Sequence, residues 1–256
     1  MASLLPSSLR KTLDYFAKYS YPLTADELYF WQHGTRISKS KIKVSKQNFK
    51  IRLLREKYSQ VKWKIAKRVG EQLRHFPSIS AVFITGALAM NNCPANDDID
   101  IMIVTSPNTL WITRFFVNLF LWSNRRLPGQ THAPNKICPN LWLDSSHLQI
   151  TPHDLYRAHE ILQAKVLWDR VHIHSQFLRS NSWVSKYLPI AYKYLSSDPS
   201  PLKGEGNARG EVFLKFLNSI FFVIQYLYMK PKMTSERVGP GFAFFHPNKD
   251  LPLDNS

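Results

Sequence analysis

The sequence predicts an α+β protein in which a short run of strands lies between two helical stretches. Three observations lead there. Apolar residues recur at three- and four-residue spacing up to about Phe76. From Ile79 to about Ile150, short β-branched runs alternate with helix-like ones, and helical periodicity then returns, broken by the Pro-, Gly- and Ser-rich stretch Ser196–Gly206. The expected division is a helical region 1–76, a strand-bearing core 77–150 and a helical C-terminal region 151–256.

A chain of 256 residues with 44% hydrophobic content can bury a sizeable core. Its charge is lopsided: 34 Lys and Arg against 18 Asp and Glu, a net of +16. Such a field draws polyanions, whether nucleic acid, nucleotides or an anionic membrane surface. Cys93 and Cys138 are too few for a disulfide framework or a four-ligand zinc site, and they fit a reducing cytoplasm. The opening stretch MASLLPSSLRKTL puts its apolar patch before its positive charges, the reverse of a secretory signal. Thr113–Trp122 is too short to span a bilayer. Val212–Met229 is interrupted by Lys215, Asn218 and Gln225, so it reads as a buried core helix, and no integral membrane segment is expected.

In the first region, Leu9, Leu13 and Phe16 share a helical face, and the YSYPLT turn ends the pattern. Thr24 with Glu27 three residues on is a capping box that starts a second helix through Leu28 and Trp31. Helix, turn and capped helix fit a winged-helix module and a plain helical hairpin equally well. From Arg36 to Arg74 there are fourteen Lys or Arg and only Glu56 and Glu71 as acids. Phe49, Leu53, Leu54, Tyr58, Val61, Ile65, Val69 and Leu73 recur there at helical spacing. The stretch therefore reads as one long amphipathic helix, or two in series, with a basic face suited to nucleic acid and, less directly, to anionic membrane.

The central stretch is ISAVFITGALAMNNCPANDDIDIMIVT. Ala81–Thr85 reads as a strand that ends at Gly86, followed by a small-residue turn, a polar loop, and a second strand Ile99–Thr105 headed by Asp98-Ile99-Asp100. Residues two apart on a strand share a face, so Asp98 and Asp100 project together while Ile99 and Ile101 enter the core. Adjacent carboxylates repel unless a cation lies between them, and Mg²⁺ is the natural hard occupant. Gly86 would let the backbone approach a phosphate closely. Asp97 points to the opposite face and reads as a loop acid.

Gly86-Ala87, ten residues, then Asp98-Ile99-Asp100-Ile101 resembles the signature of the nucleotidyltransferase superfamily of DNA polymerase β type, over about a tenth of the chain. More loosely, the layout resembles an uncharacterised bacterial nucleotidyltransferase-domain family with a winged-helix-like start. The resemblance implies an α+β fold with a small mixed β-sheet. It also implies Asp98 and Asp100 as ligands of Mg²⁺ or Mn²⁺, an NTP as substrate, and Gly86 and Ala87 cradling its terminal phosphates. Nucleotidyl transfer to RNA, protein or a small molecule would follow. Ala87 departs from the usual serine and removes one hydrogen bond.

The family also supplies a third carboxylate from a later strand. That strand is expected at Lys136–Leu143, where the central polar residue is Asn140. Asp144 at its end is the best remaining acid and Asp154 the next, although Asp144 also reads as a turn or cap residue. Arg114, on a helix expected over Leu110–Asn124, could reach a triphosphate or be a plain surface arginine. His172 and His174, with His153, His159 and His246, show no metal-ligand spacing. The segment Lys230–Pro247, which mixes basic residues with Phe242, Phe244 and Phe245, would pack over the core by default or else stack on bases. The alternative to an enzyme is a non-catalytic nucleic-acid-binding protein, and the two separate on whether a carboxylate or Asn140 alone faces the acidic pair.

Overall fold

The computed structural model describes residues 6–42, 48–127, 129–130, 133–197 and 211–245. It is an α+β fold built on one mixed sheet. In chain order the elements are α1 (Ser7–Lys18), α2 (Ala25–Phe30), α3 (Lys50–Leu73), β1 (Ile79–Ile84), α4 (Gly86–Ala89), β2 (Ile99–Thr105), α5 (Leu110–Phe120) and β3 (Ile137–Asp144). They continue with α6 (Leu155–Gln163), β4 (Lys165–Asp169), α7 (Ile173–Ser180), α8 (Pro189–Leu195), α9 (Glu211–Met229), β5 (Arg237–Gly239) and β6 (Phe242–Phe244).

Among the described residues six strands run in the order β4-β1-β2-β3-β6-β5. β2 and β3 pair in parallel and the other neighbours pair antiparallel. Alternation along the central strands sends side chains to two cores. Val82, Ile84, Ile101, Ile103 and Trp142 join the cluster that receives α3 and α5. Ala81, Phe83, Met102, Val104 and Leu143 join the cluster containing the first two helices and α6–α8. Asp100 shares the parity of Met102, so it belongs to this second face.

The stretches 1–76, 77–150 and 151–256 do not stand apart. The C-terminal region, expected to be helical, contributes β4 to one edge of the sheet and β5 and β6 to the other. α1 and α2 form the hairpin alternative: no strand precedes β1 among the described residues, so the wing of a winged helix is not found there. The capping box is present. Thr24 Oγ1 accepts from Glu27 N at 3.2 Å, and Glu27 Oε2 accepts from Thr24 N at 2.9 Å. Glu27 also takes two bonds from Arg52 of α3, at 2.7 and 2.5 Å, which ties the hairpin to the long helix.

α3 is a single helix of 24 residues. Its buried side is not the whole expected stripe: Ser59, Lys62, Ala66, Val69, Gly70 and Leu73 face inward, whereas Leu53, Leu54 and Val61 are exposed. The basic stretch 36–74 includes residues 43–47, which lie outside the described residues, as do residues 198–206 of the Pro-, Gly- and Ser-rich stretch and His246. No helix among the described residues is long and apolar enough to cross a membrane.

Candidate functional site

β1 ends against a turn that only glycine suits. Gly86 has φ +60°, and a Cβ there would lie 2.6 Å from Asp100 Oδ2. Thr85 N donates to the Asp100 carbonyl at 3.1 Å, which locks the turn to the head of β2. Ala87 follows on α4, half-buried and packed against the core.

The loop between α4 and β2 is held from below by α3. The buried Lys62 donates through Nζ to the Asp97 carbonyl at 2.6 Å and to Asn135 Oδ1 at 3.1 Å. Trp63 Nε1 donates to Asn91 Oδ1 at 2.7 Å, and Ser59 Oγ accepts from Cys93 N at 3.2 Å. Part of the basic helix is therefore a scaffold that fixes where the acids emerge.

Asp98 and Asp100 do project together. Asp98 is buried, 8% exposed, and accepts from Arg126 Nη1 at 2.9 Å. Asp100 is half-buried, and its Oδ1 accepts from Asn140 Nδ2 at 2.6 Å. The Cys138 thiol lies between the two carboxylates, and ligand atoms of Asp98, Asp100 and Cys138 all fall within 4.8 Å of one another. Burial, then the charges of Asp98 and Asp97, push the Asp100 carboxyl well above the usual range, with Arg126 opposing. Burial raises Asp97 too, helped by Asp98 and countered by Lys62. Burial and the two carboxylates push the Cys138 thiol upward, so it remains a neutral S–H donor beside them.

The third strand reaches this site through a bulge. Ile101 pairs with Pro139 and Met102 with Leu141, so Asn140 is the extra residue. Cys138 and Asn140 thereby both present to the acids before the strand shifts register. Asp144 does not join them. It sits opposite Thr105, five positions along β2 from Asp100, a separation of about 16 Å. There it is buried and accepts from Asn108 N at 2.6 Å and from Ser146 N at 2.9 Å, as a turn-capping carboxylate. Asp154 caps α6 by accepting from Arg157 N at 2.7 Å.

Arg114 is neither at the acids nor on the surface. It is half-buried between α5 and α9, donating to Gln225 Oε1 at 2.5 Å and lying over the Phe245 ring at 4.4 Å. Burial, with Arg125 nearby, lowers its pKa to about 9. The arginine at the site is Arg126, which reading the sequence left unassigned. Its place depends on Arg126 N donating to the Ile137 carbonyl at 2.8 Å, a contact that no local pattern announces. Cys138 was legible in principle, two residues before Asn140 on the same strand.

Thr85, next to Gly86, and Met102, two residues along β2 from Asp100, line a cavity of about 100 Å³. Met102, Leu141 and Phe177 form part of its apolar lining, and Tyr156, Arg157 and Arg237 add polar groups. Thr85 Oγ1 is buried in its wall without a hydrogen-bond partner among the described residues. The Glu160 charge and burial raise the Tyr156 phenol, and Asp100 adds to the effect, which places the cavity within electrostatic reach of the acids. A larger cleft of about 500 Å³ borders Ser146 and His147, beyond the far end of β3.

Another pair of titratable groups lies deep under α1. His33 Nε2 and His159 Nε2 are 3.0 Å apart, with Tyr15 stacked on His159 at 4.1 Å and Gln163 Nε2 3.2 Å from His159 Nδ1. Burial lowers the His33 pKa to about 4 and that of His159 well below its usual value, where His33 adds repulsion. Both rings are neutral near pH 7, one donating to the other. The remaining expected histidines are dispersed: His172 precedes α7 in the left-handed region, φ +56°, and His153 stacks on Trp183 at 4.3 Å.

Set against known proteins, the chain matches no family model, no curated sequence and no solved structure.

Proposed function

We propose that the chain binds a nucleoside triphosphate through a divalent cation, Mg²⁺ or Mn²⁺, held by Asp98 and Asp100, and transfers the nucleotidyl group to an acceptor. The observation that supports this is the juxtaposition at the Gly86 turn. Two carboxylates share one face of a strand head, with Arg126 alone ion-paired to them among the described residues, directly against a backbone turn that leaves no room for a side chain. The excess negative charge there fits a cation as the missing partner.

When bound, the ion would neutralise charge on the phosphates and on the departing pyrophosphate. The protein's own part is to supply the donors and their orientation. Arg126 holds Asp98, Asn140 holds Asp100, and Gly86, lacking a Cβ, lets the Asp100 carboxylate lie directly against the turn. A polyanionic acceptor such as RNA suits the outward side of α3, which exposes Lys57, Lys64, Lys67 and Arg68.

A second reading, binding of nucleotide or nucleic acid without transfer, is favoured by one observation. The residues of β3 that face Asp100 are the thiol Cys138 and the amide Asn140, with no carboxylate between them, while Asp144 lies at the other end of the strand. An amide cannot take a proton from an attacking hydroxyl. The test incubates α-labelled NTPs, Mg²⁺ or Mn²⁺ and separate RNA, protein and metabolite fractions with wild type, Asp98→Ala/Asp100→Ala and Asn140→Asp. Cation-dependent label transfer by wild type, lost in the double variant, supports the enzyme. Asn140→Asp is then expected to raise the rate about a hundredfold, the low end of general-base assistance. Cation-dependent nucleotide binding with no transfer by any of the three puts the binding reading in its place.

A further inference from the structure

The face formed by α5 and α9 is built inside out. On an ordinary amphipathic helix the polar groups face water and the apolar ones face the protein. α9 reverses this. Its one buried side chain among those described is Asn218, whose Oδ1 accepts from Trp111 N at 2.7 Å and Ile112 N at 3.4 Å. Gln225 also turns inward, accepting from Arg114 and donating to the Trp111 carbonyl at 2.7 Å. Phe213, Phe216, Val223, Ile224 and Leu227 point outward, Leu227 with 63% of its surface exposed. Val212–Met229 is thus not the buried core helix its composition suggested.

α5 continues the same surface. Phe116 and Leu119 are exposed on it, and Trp122 just beyond it is 64% exposed. Phe115 and Phe116 touch Phe221, so the two helices present one apolar patch. Contiguous exposed apolar surface of this kind marks a contact site.

The charge along the two helices has one sign apart from Glu211, the first residue of α9. From Leu110 to Leu127 and from Val212 to Lys232 the sequence contains no Asp or Glu. Where the two helices end, aromatic rings and cations are interleaved: Arg125 lies 5.4 Å from the Trp122 ring centroid and Lys232 Nζ 4.0 Å from that of Tyr228. A two-fold contact with a second copy would press these cations against their own duplicates, on a chain already at +16. An anionic bilayer answers both features at once. Its acyl boundary takes the apolar side chains, Trp122 and Tyr228 suit the headgroup level, and the phosphates meet Arg125, Lys230 and Lys232.

We propose that the α5–α9 face is a lipid-contacting surface that seats the protein on an anionic membrane, with α9 lying along the interface. The inference is independent of the nucleotide reading, because it uses no residue of the acidic site.

The test is flotation of the full chain with vesicles of phosphatidylcholine alone and of phosphatidylcholine mixed with phosphatidylglycerol. Binding to the mixed vesicles is expected, weakened about tenfold or more by Lys230→Glu/Lys232→Glu and likewise by Phe216→Asp/Leu227→Asp. These side chains are exposed, so unchanged thermal midpoints should accompany the loss. Brominated acyl chains should quench the wild-type tryptophan fluorescence, and Trp122→Phe should remove most of that quenching, a readout that does not depend on the charged variants folding. Absence of wild-type flotation on the mixed vesicles overturns the proposal, as does equal flotation by all variants. So does light scattering that shows a dimer dispersed by Phe216→Asp/Leu227→Asp without lipid binding, which would make the face a contact between copies.

Discussion

The pairs His33–His159 and Asp98–Asp100 each bring like titratable side chains close together, and the fold treats them in opposite ways. His33 and His159 are closed in among Tyr15, Phe16 and Trp31, and burial keeps both rings neutral so that one can donate to the other. Asp98 and Asp100 lie between a charged donor, an amide and a thiol. Neutral partners and a sealed environment remove the repulsion in the first pair. In the second, Arg126 offsets it only in part, and Asp100 remains far from its ordinary titration range. A contact between like groups therefore indicates a binding site only when the surroundings leave charge unmatched.

The sharpest way to break that comparison is to remove the charge. Asp98→Asn/Asp100→Asn is expected to melt higher than wild type without divalent cations, because the repulsion is gone. It should also lose the stabilisation that saturating Mg²⁺ or Mn²⁺ gives wild type, about 2.7 kcal/mol at a hundred times Kd. Thermal melts with and without EDTA decide it. A wild type that ignores both ions would make the two pairs equivalent.

The next effect is the pH response of the histidines. His33 titrates near 4 in the folded chain and near 6.5 unfolded, so the unfolded chain binds more protons between those values. Stability is therefore full above about pH 6.5 and falls as pH drops toward 4, by about 3 kcal/mol for His33 alone. Glu27, lowered in the fold, loses its contribution only below its ordinary value of 4.5. Asp100, raised in the fold, acts in the opposite sense and gains stability as pH falls. Urea unfolding across pH 7 to 4.5 in the Asp100→Asn background should show the fall, and adding His33→Gln should reduce it to the part that His159 carries. An unchanged slope would mean that the pair does not carry the proton linkage.

The smallest expected effect sharpens the geometry. Gly86→Ala should cost about 1–2 kcal/mol for the left-handed backbone and should displace Asp100, whose Oδ2 occupies the space a Cβ would enter. Chemical denaturation measures the cost. Cation titration should show weaker binding by the variant, whereas an unaltered affinity would separate the turn from the site.

How much of this was legible follows from how local each feature is. β2 was read with its observed ends, and β1 nearly so, because buried β-branched runs beside a glycine turn depend on little else. The shared face of Asp98 and Asp100 followed from strand periodicity alone. β4, β5 and β6 escaped notice: they are five, three and three residues long and lie toward the sheet edges, too short to set a period. Helix, capped turn and helix left hairpin and winged helix undecided, since docking onto later helices settles it. Pro139 was a signal passed over, because a proline within a strand marks a bulge, and this bulge brings Asn140 to Asp100. Asp144 and Arg114 were assigned by type and neighbourhood, but turn amides hold one and α9 covers the other.

The pairing of β6 with β3 also has a consequence in time. Phe245 N donates to the Asn140 carbonyl at 2.8 Å, and Phe242 and Phe244 close the outer edge of the strand that carries Cys138 and Asn140. On a ribosome adding about 5–20 residues per second, that strand waits roughly 5–20 s for its neighbour, with its peptide groups open to any other extended chain. The acids and the turn are made early, but the strand that completes their surroundings is last to be fastened. A nascent chain stalled before β6 would hold the carboxylates without a finished frame, a state for chaperones to shelter rather than for ligands to find.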